Sequence, residues 1–91
     1  MAPFVDRYEV LLFASLKDAA GTDRIEVRIE NIDARQVTVA DLLEACSIQF
    51  PMLAPWLPYI KVAIDCAYAD RQSVVPAGAE IALLPPVAGG A

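Results

Sequence analysis

Apolar and polar positions follow two different rhythms along this chain, and each change of rhythm marks a new element. Tyr8-Glu9-Val10-Leu11-Leu12-Phe13 is a nearly continuous apolar run bounded by polar Asp6-Arg7, and it predicts a strand. Ser15 offers an N-cap for a short helix over residues 16–20, with Gly21 suited to its stop. From Arg24 to Glu30 the alternation is strict. Ile25, Val27 and Ile29 fall on one face and charges on the other, the pattern of a half-buried antiparallel strand. The period then becomes helical. Thr38, followed three residues later by Asp41, has the spacing of a capping box with Asp in the usual place of Glu or Gln, and Val39, Leu42, Leu43, Cys46 and Phe50 form one apolar stripe. Pro51, Pro55 and Pro58 end this helix and leave an irregular segment carrying Met52, Leu53, Trp56 and Leu57. Residues 61–64 read as a third strand, 67–69 as a short fourth, and Gly78 as a turn before the last strand, 80–84.

The order strand, short helix, strand, helix, strand, strand, strand predicts an α+β chain of the β-grasp or ubiquitin-like kind. A mixed sheet of about five strands wraps around one main helix, with the first and last strands side by side. Residues 1–84 form the domain and 85–91 a flexible C-terminal Gly-Gly tail. Neighbouring strand residues point to opposite faces. If Val10, Leu12, Ile81 and Leu83 face the helix, then Leu11, Phe13, Ala82 and Leu84 face away, and one helix cannot cover both sides. The outer face is expected to hold an apolar partner-binding patch at the root of the tail, with Phe13, Leu84 and Tyr68 as members. The competing arrangement lays residues 51–60 over that face to bury Trp56 and Leu57. Trp56 reads as a packing residue, and Tyr59 is open.

Composition narrows the function classes. A chain of 91 residues holds one small domain, and its apolar share of 57% exceeds what so small a core buries. Seven basic and twelve acidic residues give a net charge of −5, the wrong sign for gripping phosphates, so no nucleic-acid partner is expected. The sequence shows no apolar run that would span a membrane and no signal-peptide pattern, so no membrane partner and a cytoplasmic location are expected. Cys46 and Cys66 lack metal-site spacing and read as reduced thiols, Cys46 in the core. No metal site and no bound cofactor are expected. With no histidine, no phosphate-binding loop and no Gly-x-Gly-x-x-Gly, acid–base work and ATP binding fall to partners. Lys17, Asp65 and Glu80 read as solvated or turn-stabilising.

The chain closes on Pro85-Pro86-Val87-Ala88-Gly89-Gly90-Ala91. Proline fixes φ and favours an extended path away from the domain. Gly89 and Gly90 form a thread narrow enough to enter a partner's active site.

These residues resemble the small subunit of molybdopterin synthase, a ubiquitin-like sulfur carrier. The resemblance covers nearly the whole chain and rests on Val10-Leu11-Leu12-Phe13-Ala14-Ser15-Leu16-Lys17-Asp18-Ala19-Ala20-Gly21, Thr38-Val39-Ala40-Asp41-Leu42-Leu43, Val62-Ala63-Ile64-Asp65 and Gly78 to Gly90. The last block is the specific one: Gly-x-Glu, an apolar strand, Pro-Pro-Val and Gly-Gly in one run. The resemblance implies that an E1-like adenylating enzyme uses ATP to activate the Gly90 carboxylate, which becomes a covalent thiocarboxylate. It implies that the large synthase subunit takes in the tail, Pro85 to Gly90, in a heterotetramer, and that the sulfur passes to cyclic pyranopterin monophosphate. The departure is Ala91, since relatives of this kind usually end at the second glycine; removal before activation, tolerance by the adenylating enzyme and a residue foreign to the natural protein all remain open. Two other readings stand beside this one. The chain is a carrier for thiamine, cysteine or tRNA thiolation, or it is a noncovalent ubiquitin-like binding module.

Overall fold

The computed structural model describes residues 4–31 and 36–85. Five strands and two α-helices run in the order β1 (Phe4–Leu12), α1 (Ser15–Ala20), β2 (Arg24–Asn31), α2 (Val39–Gln49), β3 (Lys61–Ile64), β4 (Ala67–Ala69) and β5 (Ile81–Leu84). The sheet order is β2-β1-β5-β3-β4. β1 and β5 are parallel neighbours, as expected, and the other pairings are antiparallel. The α+β, β-grasp architecture read from the sequence is the one observed.

α2 is positioned by its first turn. Thr38 accepts a hydrogen bond from the Asp41 amide at 3.3 Å while the Asp41 carboxylate accepts one from the Thr38 amide at 3.0 Å, completing the capping box. The next two amides, of Val39 and Ala40, donate to the Ser73 and Arg71 carbonyls. All four donors at this helix start are therefore satisfied. The stripe Val39, Leu42, Leu43 and Cys46 is buried against Val10, Leu12, Ile81 and Leu83 from the sheet. Phe50 is the C-cap and only partly buried.

Several boundaries differ from the sequence reading. β1 begins at Phe4 rather than Tyr8, because the long partner β2 supplies a ladder reaching Phe4 opposite Asn31, so the polar pair Asp6-Arg7 lies inside the strand. Ser15 is not the N-cap of α1. Ala14 holds that position at φ 49° without a side-chain bond, and Ser15 is the first helical residue. β5 begins at Ile81 because Glu80 is engaged elsewhere: its amide donates to the Asp65 carboxylate and its carbonyl accepts from the Asp65 amide. The segment after α2 forms two 3₁₀ turns, Pro51–Leu53 and Leu57–Tyr59. Leu53 and Leu57 enter the core, Trp56 packs against it, and Met52 stays exposed.

Candidate partner face and tail root

The sheet registers define the side of the sheet turned away from α2. Leu11 stands opposite Ala82, Ala82 opposite Ala63, and Ala63 opposite Tyr68, so these four share one row. Two residues on, Lys61 stands opposite Leu84. Phe13 follows Leu11 in parity, one residue past β1. This outer face is largely apolar over β5, β3 and β4, with the Lys61 ammonium placed among the apolar groups. Phe13 is 45% exposed and Tyr68 75% exposed, whereas the inward neighbours Leu12 and Leu83 are 2% and 1% exposed. The parity argument thus places Phe13, Leu84 and Tyr68 on the expected side. Residues 51–60 do not cover them, because Leu53 and Leu57 are buried in the helix-side core.

Over β1 and β2 the same face carries a central band of charges, with Val5 and Leu11 at the two ends of β1. Arg7 lies opposite Arg28 and Glu9 opposite Glu26, while diagonal contacts join Arg7 to Glu26 at 3.8 Å and Arg24 to Glu9 at 3.3 Å. The face is therefore divided, and its apolar half leads to the tail. Leu84 and Pro85 are half-buried at this root. Pro86, Val87, Ala88, Gly89, Gly90 and Ala91 lie outside the described residues.

The sequence reading missed Lys61 and Ala63. The Lys61 Nζ sits 5.6 Å from the Tyr68 ring centroid, a cation–π distance that holds the aromatic side chain over the sheet. Parity with Leu84 was the available signal for Lys61. Ala63 is buried in this row, paired with Ala82 on one side and Tyr68 on the other.

Among the described residues nothing resembles a catalytic or metal centre. No group of His, Cys, Asp or Glu side chains is arranged to hold a metal ion. Cys46 is buried, and burial pushes its thiol up to about 11, which suppresses the reactive thiolate. Cys66 is free and exposed. It follows Asp65 in a two-residue hairpin turn in which both φ values are positive, 48° and 71°, as a type I′ turn requires. Asp65 has the turn-stabilising role expected of it, tying this hairpin to the start of β5 through Glu80. No helix among the described residues is long and apolar enough to cross a membrane.

Comparison with known proteins gives consistent results. A model of the ThiS family matches residues 10–90. The molybdopterin synthase sulfur carrier subunit of Dictyostelium discoideum is 26% identical over 87 residues, covering 93% of this chain and 98% of that protein. Small archaeal modifier protein 1 of Haloferax volcanii superposes with a TM-score of 0.77 at 30% identity, covering 92% of this chain and 99% of the other. A chain in the complex of subunits 1 and 2 of molybdopterin-converting factor from Helicobacter pylori superposes with a TM-score of 0.59 at 22% identity, over 92% of this chain and 99% of that one. At that last identity the likeness speaks to the fold alone. With the family model matched across the outer-face strands and the tail alike, the chain belongs to the ThiS family of ubiquitin-like sulfur carriers.

Proposed function

We propose that this chain is the sulfur-donating small subunit of molybdopterin synthase, carrying sulfur as a thiocarboxylate on Gly90. The observation that carries the reading is the uncovered apolar half of the sheet, Phe13, Leu84 and Tyr68, at the root of the tail. A large subunit docked there would receive the tail directly. The Dictyostelium relative is a sulfur carrier subunit of molybdopterin synthase, which supports the same partner.

The chemistry proceeds through the chain's carboxylate and its partners' catalytic groups. Hydrolysis of the Gly90–Ala91 peptide bond first releases alanine and frees the Gly90 carboxylate. One oxygen of that carboxylate then attacks the α-phosphate of ATP on an E1-like adenylating enzyme, and pyrophosphate leaves. A sulfide equivalent then displaces AMP from the acyl carbon, leaving a thiocarboxylate, a tethered sulfur nucleophile. The large subunit takes in Gly89 and Gly90 and directs that sulfur to cyclic pyranopterin monophosphate. Tethering raises the effective concentration of sulfur at the acceptor.

Intact mass spectrometry tests this. The 91-residue chain and a version ending at Gly90 are each incubated with ATP, a sulfide source and the adenylating enzyme. The expected result is the replacement of one oxygen by sulfur on the Gly90-ended chain alone, followed by loss of that sulfur on addition of the large subunit and cyclic pyranopterin monophosphate. A thiocarboxylate on Ala91, or no gain with an enzyme active on another carrier, refutes the proposal.

The likeness to small archaeal modifier protein 1 favours a second reading. Here Gly90 is activated in the same way but serves another acceptor, such as the thiamine, cysteine or tRNA thiolation routes. Copurification with the large synthase subunit or with a different acceptor enzyme separates the two.

A further inference from the structure

β2 is an edge strand eight residues long whose one strand partner among the described residues is β1, with the Thr22 hydroxyl bonded to the Arg24 carbonyl and amide at its first residue. Such an edge is a template for another strand. The Leu12 amide donates to the Asp23 carbonyl at 2.8 Å, so in this ladder the odd-numbered positions of β2 turn their backbone groups towards β1 and the even-numbered ones turn theirs outward. Arg28 is an outward position at the middle of the edge, and both of its backbone groups are occupied by one side chain. Its amide donates to the Gln49 Oε1 at 3.0 Å, and its carbonyl accepts from the Gln49 Nε2 at 2.6 Å. The terminal amide of α2 stands where the peptide group of an incoming strand would sit.

The strand behind this plug is self-complementary. In an antiparallel pairing of two copies about a two-fold axis at Val27, Arg24 falls opposite Glu30 and Glu26 opposite Arg28, while Ile25 meets Ile29 and Val27 meets itself. The charged positions are the outward-bonding ones, so the ladder geometry permits this register. Among the two-fold pairings it permits, this is the one that sets Arg24, Glu26, Arg28 and Glu30 all face to face with opposite charges. Within one chain, Glu9 beside Glu26 and Arg7 beside Arg28 are like-charge pairs. Across the axis the acidic pair of one copy would meet the basic pair of the other.

We propose that the β2 edge is a docking strand for a second copy of this chain and that Gln49 is the guard that holds it closed. The central pairings, Glu26 with Arg28 and its symmetric mate, both need the Arg28 backbone that Gln49 occupies. The guarded chain is monomeric, and displacement of Gln49 joins two sheets edge to edge. The β2 edge is separated from the apolar half of the outer face by β1, so the docking strand and the tail root act independently.

Light scattering over a dilution series, with the full-length chain, tests this. Gln49→Ala is expected to form a dimer with a dissociation constant at least about tenfold lower than that of the wild type. Gln49→Glu, which cannot donate to the Arg28 carbonyl, is expected to do the same and serves if the alanine variant loses its fold. Adding Glu26→Arg to either variant is expected to restore the monomer, and a further Arg28→Glu to restore the dimer. Folded Gln49 variants that stay monomeric, or a wild type that dimerises as tightly as they do, would overturn the proposal. Amide exchange on the wild type gives an independent reading: Arg28 is expected to exchange more slowly than outward-facing Glu26, and equal rates would also overturn it.

Discussion

Leu83 and Leu84 are adjacent and chemically identical, and the fold assigns them opposite roles. Leu83 is 1% exposed and packed among Val10, Leu12 and Leu42, whereas Leu84 is half-buried on the outer face opposite Lys61. Truncating a fully buried leucine removes its transfer free energy and leaves a cavity, together costing about 3 kcal/mol within a usual range of roughly 2–5. A domain of this size loses about 4–8 °C of melting temperature per kcal/mol, so Leu83→Ala is expected to melt roughly 12–24 °C below wild type. Leu84→Ala opens no enclosed cavity and is expected to cost about 1 kcal/mol or less, roughly 4–8 °C.

Binding should reverse the order. Burying the exposed part of Leu84 in a partner contributes about 1–2 kcal/mol, so its removal should weaken binding of the large synthase subunit by roughly 5–30-fold. Leu83→Ala, titrated well below its melting temperature, should bind nearly as the wild type does. Circular dichroism melts and calorimetric titration on the same preparations provide both readings. Equal melting temperatures would refute the parity assignment. An unchanged affinity for Leu84→Ala would refute the docking face while leaving the fold intact.

Three further outcomes are expected. Thr38→Ala removes the side-chain half of the capping box and should cost about 1 kcal/mol in thermal or urea unfolding, with helix content unchanged. Asp65→Ala loses the bond to the Glu80 amide and places alanine at φ 48°, and should lower the melting temperature more than Asp65→Asn, since asparagine tolerates that conformation. Burial raises the Cys46 thiol from 9.0 to about 11, so the folded chain retains a proton that the unfolded chain releases. That contribution is complete below the unfolded value and is lost as pH rises through the folded one. Urea midpoints should therefore fall between pH about 9 and about 11, and Cys46→Ala should flatten part of the fall. Tyr8, raised by burial and then by Asp6, accounts for some of what remains.

Much of this architecture was legible because apolar spacing alone determined it. The strict alternation from Arg24 to Glu30 allowed only one face to be buried, and the Thr38–Asp41 spacing allowed one helix start. Parity then placed Phe13, Leu84 and Tyr68 on the outer side without any knowledge of the partner strands. The misplacements share a physical cause, namely contacts distant in sequence. β1 extends to Phe4 only because Asn31 lies opposite it, and Glu80 leaves β5 only because Asp65, 15 residues away, claims its backbone. Ser15 failed as a cap because Ala14 adopts a positive φ that local propensity disfavours. The Gln49 plug was invisible for the same reason: nothing in a helix-ending glutamine points to a strand edge 21 residues earlier.

The division of the outer face bears on the proposed role. In the proposed role, a carrier without acid–base residues at its reacting end is recognised by several enzymes in turn, among them an activator and an acceptor. Each must grip the domain without retaining the tail. An apolar surface built around an exposed tyrosine and a half-buried leucine offers contact area with little directional hydrogen bonding, so partners of different shape can use it. The charged half resists indiscriminate association, because desolvating Arg7, Glu9, Arg24 and Glu26 against an apolar partner is costly. Concentrating the apolar area around Phe13, Tyr68 and Leu84 also sets the direction of approach in the proposed role. A partner seated on Leu84 lies beside Pro85, the residue from which the tail sequence continues, so in the proposed role recognition of the domain and delivery of the tail follow from one docking geometry.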